Sequence, residues 1–292
     1  MNKYLDGSSE TLRKVTFNFK KFNKFYLPEH KKKIDQSFLE WFVGFTEGDG
    51  SFIITVPKKG NKRLMFILVQ KDEQALNKLR STIGFGNIQK HRHAHRYCVS
   101  KKKDIDRLIV LFNGNLLLNK TNEKFRLWVN TRNELNQKQP RIEVQSQLRN
   151  FDYLGNGWLS GFIAAEGCFN VRHPISDYHS KFLIDHHIPL RFRFILDQKN
   201  EEKLLESIRI SIGSGNVSRR KEDLSHFRYT IGHRNYIILI IDYIKKFPLR
   251  VKKNVDVVRM QKLINYSKSR KTRPWSGRVF KRVKALIFRL DE

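Results

Sequence analysis

The chain has 292 residues, which is enough for about two domains with cores of their own. Hydrophobic residues make up 39% of it and 22 residues are phenylalanine, which excludes a generally disordered protein. Lysine and arginine number 58 against 28 aspartate and glutamate, a net charge of +30 that indicates a polyanionic partner, most simply nucleic acid. An anionic membrane surface is the competing partner, but no apolar run approaches the ~20 residues that a spanning helix needs.

Residues 1–34 are basic and aromatic, and we interpret them as an N-terminal extension that packs on the first domain or lies along a polyanion. The next stretch, Phe38–Phe52, predicts a helix that ends at an acid and continues directly into a strand. Gly44 and Gly48 are four residues apart, so one helix face is almost bare and a second helix can come very close. Gly50 ends the helix and leaves Asp49 at its tip.

The same arrangement recurs in Trp158–Val171 at an offset of 117 residues, with Gly161, Ala165, Glu166 and Gly167 at the positions of Gly44, Gly48, Asp49 and Gly50. We expect the two helices to pack about a pseudo-twofold axis, so that Asp49 and Glu166 meet. Two carboxylates at helix C-termini oppose each other and the helix dipoles, and divalent cations such as Mg²⁺ would offset that cost. A pair of ordinary helix ends with solvated acids is the alternative.

The repeat continues beyond the motif helices. Strand Arg63–Gln70 matches Arg191–Gln198, and helices are predicted near Glu73–Ile83 and Glu201–Ile212, each followed by a glycine turn into two further strands, another helix and a lysine-bearing turn. The offset between the halves is 128 residues at these strands and 129 at the glycine turns, and we place this one-residue insertion within the second helix of the second half. Each half therefore reads as helix, two strands, helix, two strands, helix. A polar linker, residues 134–156, separates a first domain, 35–133, from a second, 157–292.

The two cysteines, Cys98 and Cys168, are far apart, so we expect a reducing compartment and no structural disulfide. Alternation would put His91, His93 and His95 on one strand face. Zinc is one candidate ligand of these histidines, but no cysteine stands at ligand spacing. Contact with phosphate or bases is therefore the preferred interpretation.

The nonapeptides Phe42–Gly50 and Leu159–Gly167, each opening such a unit, resemble the motif of the LAGLIDADG homing endonucleases of the single-chain, two-motif, intron-encoded type. The chain departs from that motif at Thr46, Glu47 and Ala164, and none of these is the eighth, acidic position. The resemblance implies an α+β fold of two pseudo-twofold-related αββαββα domains, with saddle-shaped antiparallel sheets, joined through the paired motif helices. It also implies a monomer of organellar, mitochondrial origin.

The resemblance further implies hydrolysis of both strands of double-stranded DNA at a long asymmetric target. It places Asp49 and Glu166, together with the preceding Gly48 and Ala165, at a site for Mg²⁺, for which Mn²⁺ would substitute, whereas Ca²⁺ would support binding without cleavage. The residues implied to position the attacking water are Gln70, Gln198, Lys120 and Lys252. The alternative is that these four are ordinary polar surface residues.

Strand alternation predicts which residues face the DNA, because Phe52, Ile54 and Val56 must be core, as must Phe169 and Val171. The residues that alternate with the core are Ser51, Ile53, Thr55, Lys59, Arg63, Met65, Gln89, His91, Arg96 and Cys98 in the first half, and Cys168, Asn170, Arg172, Arg191, Arg193, Ser218, Arg220, Arg228 and Thr230 in the second. Arginine, glutamine and asparagine on such a face can reach base edges.

Two other functions remain in view. An RNA-splicing maturase on the same fold would bind intron RNA and keep the basic surface without needing the acids. A non-catalytic DNA-binding protein would be expected to lack at least one motif acid. Both acids are present, which favours the endonuclease and leaves a dual function open.

Overall fold

The computed structural model describes residues 16–147, 151–172, 190–269 and 277–291. The first half comprises a π-helical turn (Phe22–Tyr26), then α1 (Gln36–Asp49), β1 (Gly50–Thr55), β2 (Arg63–Gln70), α2 (Glu73–Ile83), β3 (Asn87–His91), β4 (Ala94–Val99), α3 (Lys102–Phe112) and α4 (Asn119–Leu135). The second half comprises α5 (Trp158–Glu166), β5 (Gly167–Arg172), β6 (Arg191–Lys199), α6 (Glu202–Ile212), β7 (Asn216–Arg219), β8 (His226–Ile231), α7 (Arg234–Lys246), α8 (Asn254–Ser269) and α9 (Gly277–Asp291).

Each half contains one four-stranded antiparallel sheet, with strand orders β1-β2-β4-β3 and β5-β6-β8-β7. The same pairing recurs in both: Phe52 lies opposite Phe66 in the first sheet, and Phe169 lies opposite Phe194 in the second. All four rings are buried beneath the helices. The α+β fold of two repeated units predicted from the sequence is therefore confirmed.

The two halves meet through α1 and α5, whose backbones touch at the predicted glycines. A Cβ atom added at Gly44 would lie 2.0 Å from the carbonyl oxygen of Trp158, and one at Gly161 would lie 1.9 Å from that of Trp41. Real Cβ atoms do not approach oxygen this closely, so only glycine fits at either position. The predicted close packing of the two motif helices is confirmed.

Two local predictions are wrong. Val56 is 71% exposed instead of buried, because β1 ends at Thr55 and Pro57, which cannot donate to a ladder, follows at once. The inserted residue of the second half lies outside the helix, because α2 and α6 both have 11 residues. The insertion is Asn200, whose φ of 58° turns the chain sharply between β6 and α6.

The segment before α1 packs on the first half through Phe17, Phe19, Phe22 and Ile34, all of which are buried. The main chain there is tied to α3, because Arg107 Nε donates to the carbonyl oxygen of Tyr26 at 3.1 Å. Residues 1–15 of the expected extension and residues 148–150 of the expected linker lie outside the described residues. No helix in the described part of the chain is long and apolar enough to cross a membrane.

Candidate active site

The two motif acids stand at the last residues of α1 and α5, immediately before the strands that open each sheet. The helix tips lie against each other: a Cβ atom at Gly48 would be 2.3 Å from Ala165 Cβ and 3.1 Å from Glu166 Cγ. Asp49 and Glu166 are each only partly accessible. The pseudo-twofold repeat thus brings one acid from each half to a shared tip.

The environment of these acids disfavours their ionised forms. Burial raises the pKa of Asp49 to about 6, against the opposing effects of a hydrogen bond from Gln70 and the charge of Lys253. Burial and then the charge of Asp49 raise the pKa of Glu166, while Gln198 and Lys120 oppose the shift. Two carboxylates that disfavour each other's charge attract a cation.

The glutamines at the strand ends lie beside the acids. Gln70 Nε2 donates to Asp49 Oδ2. Gln198 is only 3% exposed, hydrogen-bonds Glu166, and accepts a hydrogen bond from Lys120 Nζ on its Oε1 at 3.0 Å. Lys120 belongs to the first half, so its ammonium group crosses to the acid of the second half.

The lysine that reaches the acids from the second half is Lys253, and not its sequence neighbour Lys252. The side chain of Lys252 is exposed. Lys253 Nζ donates instead to the carbonyl oxygens at the end of α5, those of Ile163 (3.3 Å), Ala164 (2.8 Å) and Ala165 (3.1 Å). Burial lowers the pKa of Lys253, while the charges of Asp49, Cys168 and Glu166 oppose the shift.

The internal repeat did not indicate Lys253, because the residue at the corresponding position of the first half is Thr121. The alignment of the lysine turns therefore pointed to Lys252, the partner of Lys120. The two lysines are consecutive residues of the turn before α8, and only the directions of their side chains distinguish them. Lys253 is partly covered and faces α5, whereas Lys252 faces solvent.

The donor set at the tips fits a hard divalent cation. The carboxylates of Asp49 and Glu166 and the main-chain oxygens beside them are the ligand type that Mg²⁺ prefers. Within the described residues, no three side chains of His, Cys, Asp or Glu gather as a metal site. The prediction that the three histidines share one strand face is wrong, because His91 ends β3, His93 lies in the turn and His95 lies on β4. The zinc interpretation is not supported either, since His91 Nε2 contacts Arg96 Nη2 and His95 Nε2 lies 3.5 Å from Glu73.

A third acid of the first motif, Glu47, lies just behind the site and is 1% exposed. It accepts hydrogen bonds from the main-chain N–H groups of Leu117 and Leu118, both at 2.7 Å, and from Trp158 Nε1 at 2.6 Å. Burial raises the pKa of Glu47 to about 8. Glu47 thereby fixes the turn before α4. The sequence signal for this role was that position 47 departs from the family motif.

The outward faces of the two sheets carry the residues expected to meet DNA. The pairing aligns Ser51 with Ile67 and Ile67 with Cys98 across the first sheet, and Cys168 with Ile195 and Ile195 with Thr230 across the second. The remaining strand residues of the prediction alternate in step with these rows. The same rows contain Asn87 and Asn216, which lie at the first positions of β3 and β7 and were not identified from the sequence.

Some of the predicted interface residues are less available than expected. Cys98 lies on the outward side but is only 9% exposed, because strand residues on both sides cover it and Gln89 Oε1 lies 3.7 Å from its sulfur. Arg228 is paired through two bonds, of 2.8 and 2.7 Å, with Asp197, an acid on the same face. Arg220 also approaches Asp197 at 3.5 Å. Lys59 lies exposed in the loop between β1 and β2 rather than on a strand.

Comparison with known proteins identifies relatives that are named as intron-encoded proteins. Probable intron-encoded endonuclease 4 of Neurospora crassa is 33% identical over 218 residues, which are 74% of this chain and 37% of that protein. Intron-encoded RNA maturase bI4 of Saccharomyces cerevisiae is 25% identical over 244 residues, which are 81% of this chain and 34% of the maturase. The chain thus spans little more than a third of the length of these two relatives.

Among solved structures, I-SmaMI bound to an uncleaved DNA target in the presence of calcium ions has the same fold. Its TM-score is 0.68 at 18% sequence identity, and the match covers 89% of this chain and all of that one. A family model described as LAGLIDADG endonuclease matches residues 42–132 and 159–264, which include both sheets and the tips of both motif helices. The chain belongs to the LAGLIDADG endonuclease family.

Proposed function

We propose that this protein is a site-specific homing endonuclease that hydrolyses both strands of double-stranded DNA with a divalent metal. The observation that carries the proposal is the meeting of Asp49 and Glu166 at the shared tip of α1 and α5, where the first strand of each sheet begins. A relative named as an intron-encoded endonuclease and a similar fold bound to DNA support it.

Asp49 and Glu166, with the main-chain oxygen of Gly48 and that of Ala165, which also accepts from Lys253 Nζ, would hold Mg²⁺. The bound metal would supply an activated water and neutralise charge on the phosphate. The chain's own residues do the remaining work. Gln70 orients the carboxylate of Asp49, and Gln198 links Lys120 to Glu166. The ammonium groups of Lys120 and Lys253 add positive charge where the scissile phosphates approach.

We expect Mn²⁺ to replace Mg²⁺, and Ca²⁺ to support binding without cleavage. The two halves differ at most outward positions, so the target is asymmetric and the active form is a monomer. Relatives named as intron-encoded proteins support an organellar, mitochondrial origin. The four outward arginines of β5, β6 and β8, namely Arg172, Arg191, Arg193 and Arg228, would read bases or bind phosphates of one half-site.

The decisive experiment first isolates a target by exposing the full chain to a plasmid library of randomised sites in Mg²⁺. Wild type, Asp49→Asn and Glu166→Gln are then compared on that target in Mg²⁺, with binding titrated in Ca²⁺. We expect wild type to linearise the plasmid and both variants to bind it without linearising it. Failure of wild type to cut any site, or cutting by either variant at the wild-type rate, would overturn the proposal.

A second candidate function is intron RNA splicing, because one relative is named as an RNA maturase. It would use the basic surface and would not require the two acids. Splicing of the host intron in vitro by Asp49→Asn as well as by wild type would establish it as an additional activity. No splicing by either protein, together with cleavage by wild type, would leave the endonuclease alone.

A further inference from the structure

We propose that Asp72 and Glu201 are positioning residues, each held by one half of the protein and fixing the lysine-bearing segment of the other half, so that each controls the cleavage of one DNA strand. The inference rests on the proposed endonuclease function. It concerns two buried acids that lie directly behind the glutamines of the site and that no step of the mechanism above uses.

Glu201 belongs to the second half, but its carboxylate binds the main chain of the first half. It is 2% exposed, and its Oε1 accepts a hydrogen bond from the main-chain N–H of Lys120 at 3.1 Å; the N–H of Asn119 also bonds its carboxylate. Glu201 precedes α6, yet its side chain makes no capping bond to that helix. The inserted Asn200, with its positive φ, sets the turn at which this carboxylate leaves its own half.

Asp72 occupies the equivalent place in the first half and serves the second. It is 8% exposed, and its Oδ2 accepts a hydrogen bond from the main-chain N–H of Lys252 at 2.7 Å. Its other oxygen, Oδ1, accepts from Ala75 N at 3.3 Å and so caps α2 of its own half. Asp72 thus bonds both its own half and the opposite half, whereas Glu201, whose side chain is one methylene longer, bonds only the opposite half.

The exchange matters because both segments that are held in this way place an ammonium group at the helix tips: Lys120 reaches across the boundary between the halves, and Lys253 lies on the carbonyl oxygens at the end of α5. Lys120 reaches Gln198, which bonds Glu166, so Glu201 holds the main chain of the lysine that acts on the acid of the second half. Lys253 follows Lys252, whose main chain Asp72 holds; the ammonium group of Lys253 lies on the carbonyl oxygen of Ala165 at the helix tips, and its charge opposes the raised pKa of Asp49. A lysine side chain has several rotatable bonds, so a fixed main chain at its root restricts where the ammonium group can lie.

The structural alternative is that both acids only cap helices and join the halves. Stabilisation of that kind would not distinguish one DNA strand from the other. Glu40 supplies a matched control, since it is also a buried acid, 6% exposed, and also bonds across the halves, with Gly157 N donating to its Oε2 at 2.9 Å. Glu40 lies near the opposite end of α1, far along the helix from Asp49.

The test measures single-turnover cleavage of a duplex target labelled on each strand in turn, with saturating enzyme and Mg²⁺. We expect Glu201→Ala to slow cleavage of one strand by about 10-fold or more and to accumulate a nicked product. Asp72→Ala should accumulate the complementary nick. Glu201→Gln keeps an acceptor oxygen and should restore balanced cleavage, whereas Glu201→Asp, one methylene shorter, should retain the bias even where Glu201→Ala folds poorly.

Glu40→Ala should lower the melting temperature without changing the ratio of the two strand rates. Equal slowing of both strands in the Glu201 and Asp72 variants, as in Glu40→Ala, would overturn the inference while the endonuclease assignment stands. A wild-type protein that cuts neither strand would overturn the proposed function and this inference together.

Discussion

At the residue scale, the burial of Asp49 beside Glu166 carries a stability penalty that a bound cation would offset. The pKa of Asp49 is about 6 in the folded chain against an ordinary value of 3.8. The contribution of Asp49 to the free energy of unfolding is therefore fully present below the ordinary pKa, and it is lost as the pH rises through the pKa of the folded chain. At neutral pH the ionised carboxylate destabilises the metal-free fold.

We therefore expect Asp49→Asn to raise the melting temperature in the presence of a chelator at neutral pH. Added Mg²⁺ should stabilise wild type more than the variant, because the variant lacks one charged ligand. Thermal denaturation of both proteins with EDTA and with Mg²⁺ measures this directly. Equal stabilisation by Mg²⁺ in both proteins would show that Asp49 holds no metal.

Glu47 gives a second prediction at this scale. Glu47→Ala removes the acceptor of three buried donors, so we expect the free energy of unfolding to fall by about 1–3 kcal/mol or more. Glu47→Gln should cost less, because its amide oxygen can still accept from Leu117 and Leu118, although its NH₂ group opposes the indole of Trp158. Urea unfolding compares the two. Wild-type stability in Glu47→Ala would contradict the assigned contacts.

At the element scale, the contact between α1 and α5 depends on two positions without side chains. Gly44→Ala and Gly161→Ala each place a methyl group against a main-chain carbonyl that cannot move alone, so the helices must separate. We expect each to destabilise the protein by about 1–3 kcal/mol or more. Gly232→Ala is the matched control, because no atom lies within 4 Å of a Cβ atom there. Equal melting temperatures for all three variants would exclude the close contact.

The elements were predictable because each rests on local patterns that tertiary structure did not override. Glycines four apart identified the contact face of α1, and alternation in Arg63–Gln70 identified the buried face of β2. The failures arise where one residue changes the phase: Pro57 ended β1 before Val56, and Asn200 absorbed the insertion in a turn. Lys253 was missed because the corresponding residue of the first half is Thr121, and only the direction of its side chain, toward α5, separates it from Lys252 in the turn before α8.

At the scale of the whole molecule, the net charge of +30 predicts strongly salt-dependent binding. Each neutralised phosphate contributes about −0.9 to the slope of log affinity against log salt concentration. We expect a steep slope for the selected target in Ca²⁺, measured by titration at several NaCl concentrations. A slope of about −1 or flatter would indicate that most of the excess charge lies away from the DNA.

The indole groups of the two motif helices also cross between the halves. Trp41 Nε1 donates to the carbonyl oxygen of Leu249 at 2.8 Å, and Trp158 Nε1 donates to Glu47 at 2.6 Å, with both rings buried. Trp128 is buried separately within the first half, against Phe52 and Phe125. Of the three tryptophans within the described residues, two thus report on the boundary between the halves and one on a core. Separation of the halves would expose the first two indoles to water and shift their emission to longer wavelength. The emission of Trp128 would stay unchanged until the first half itself unfolded.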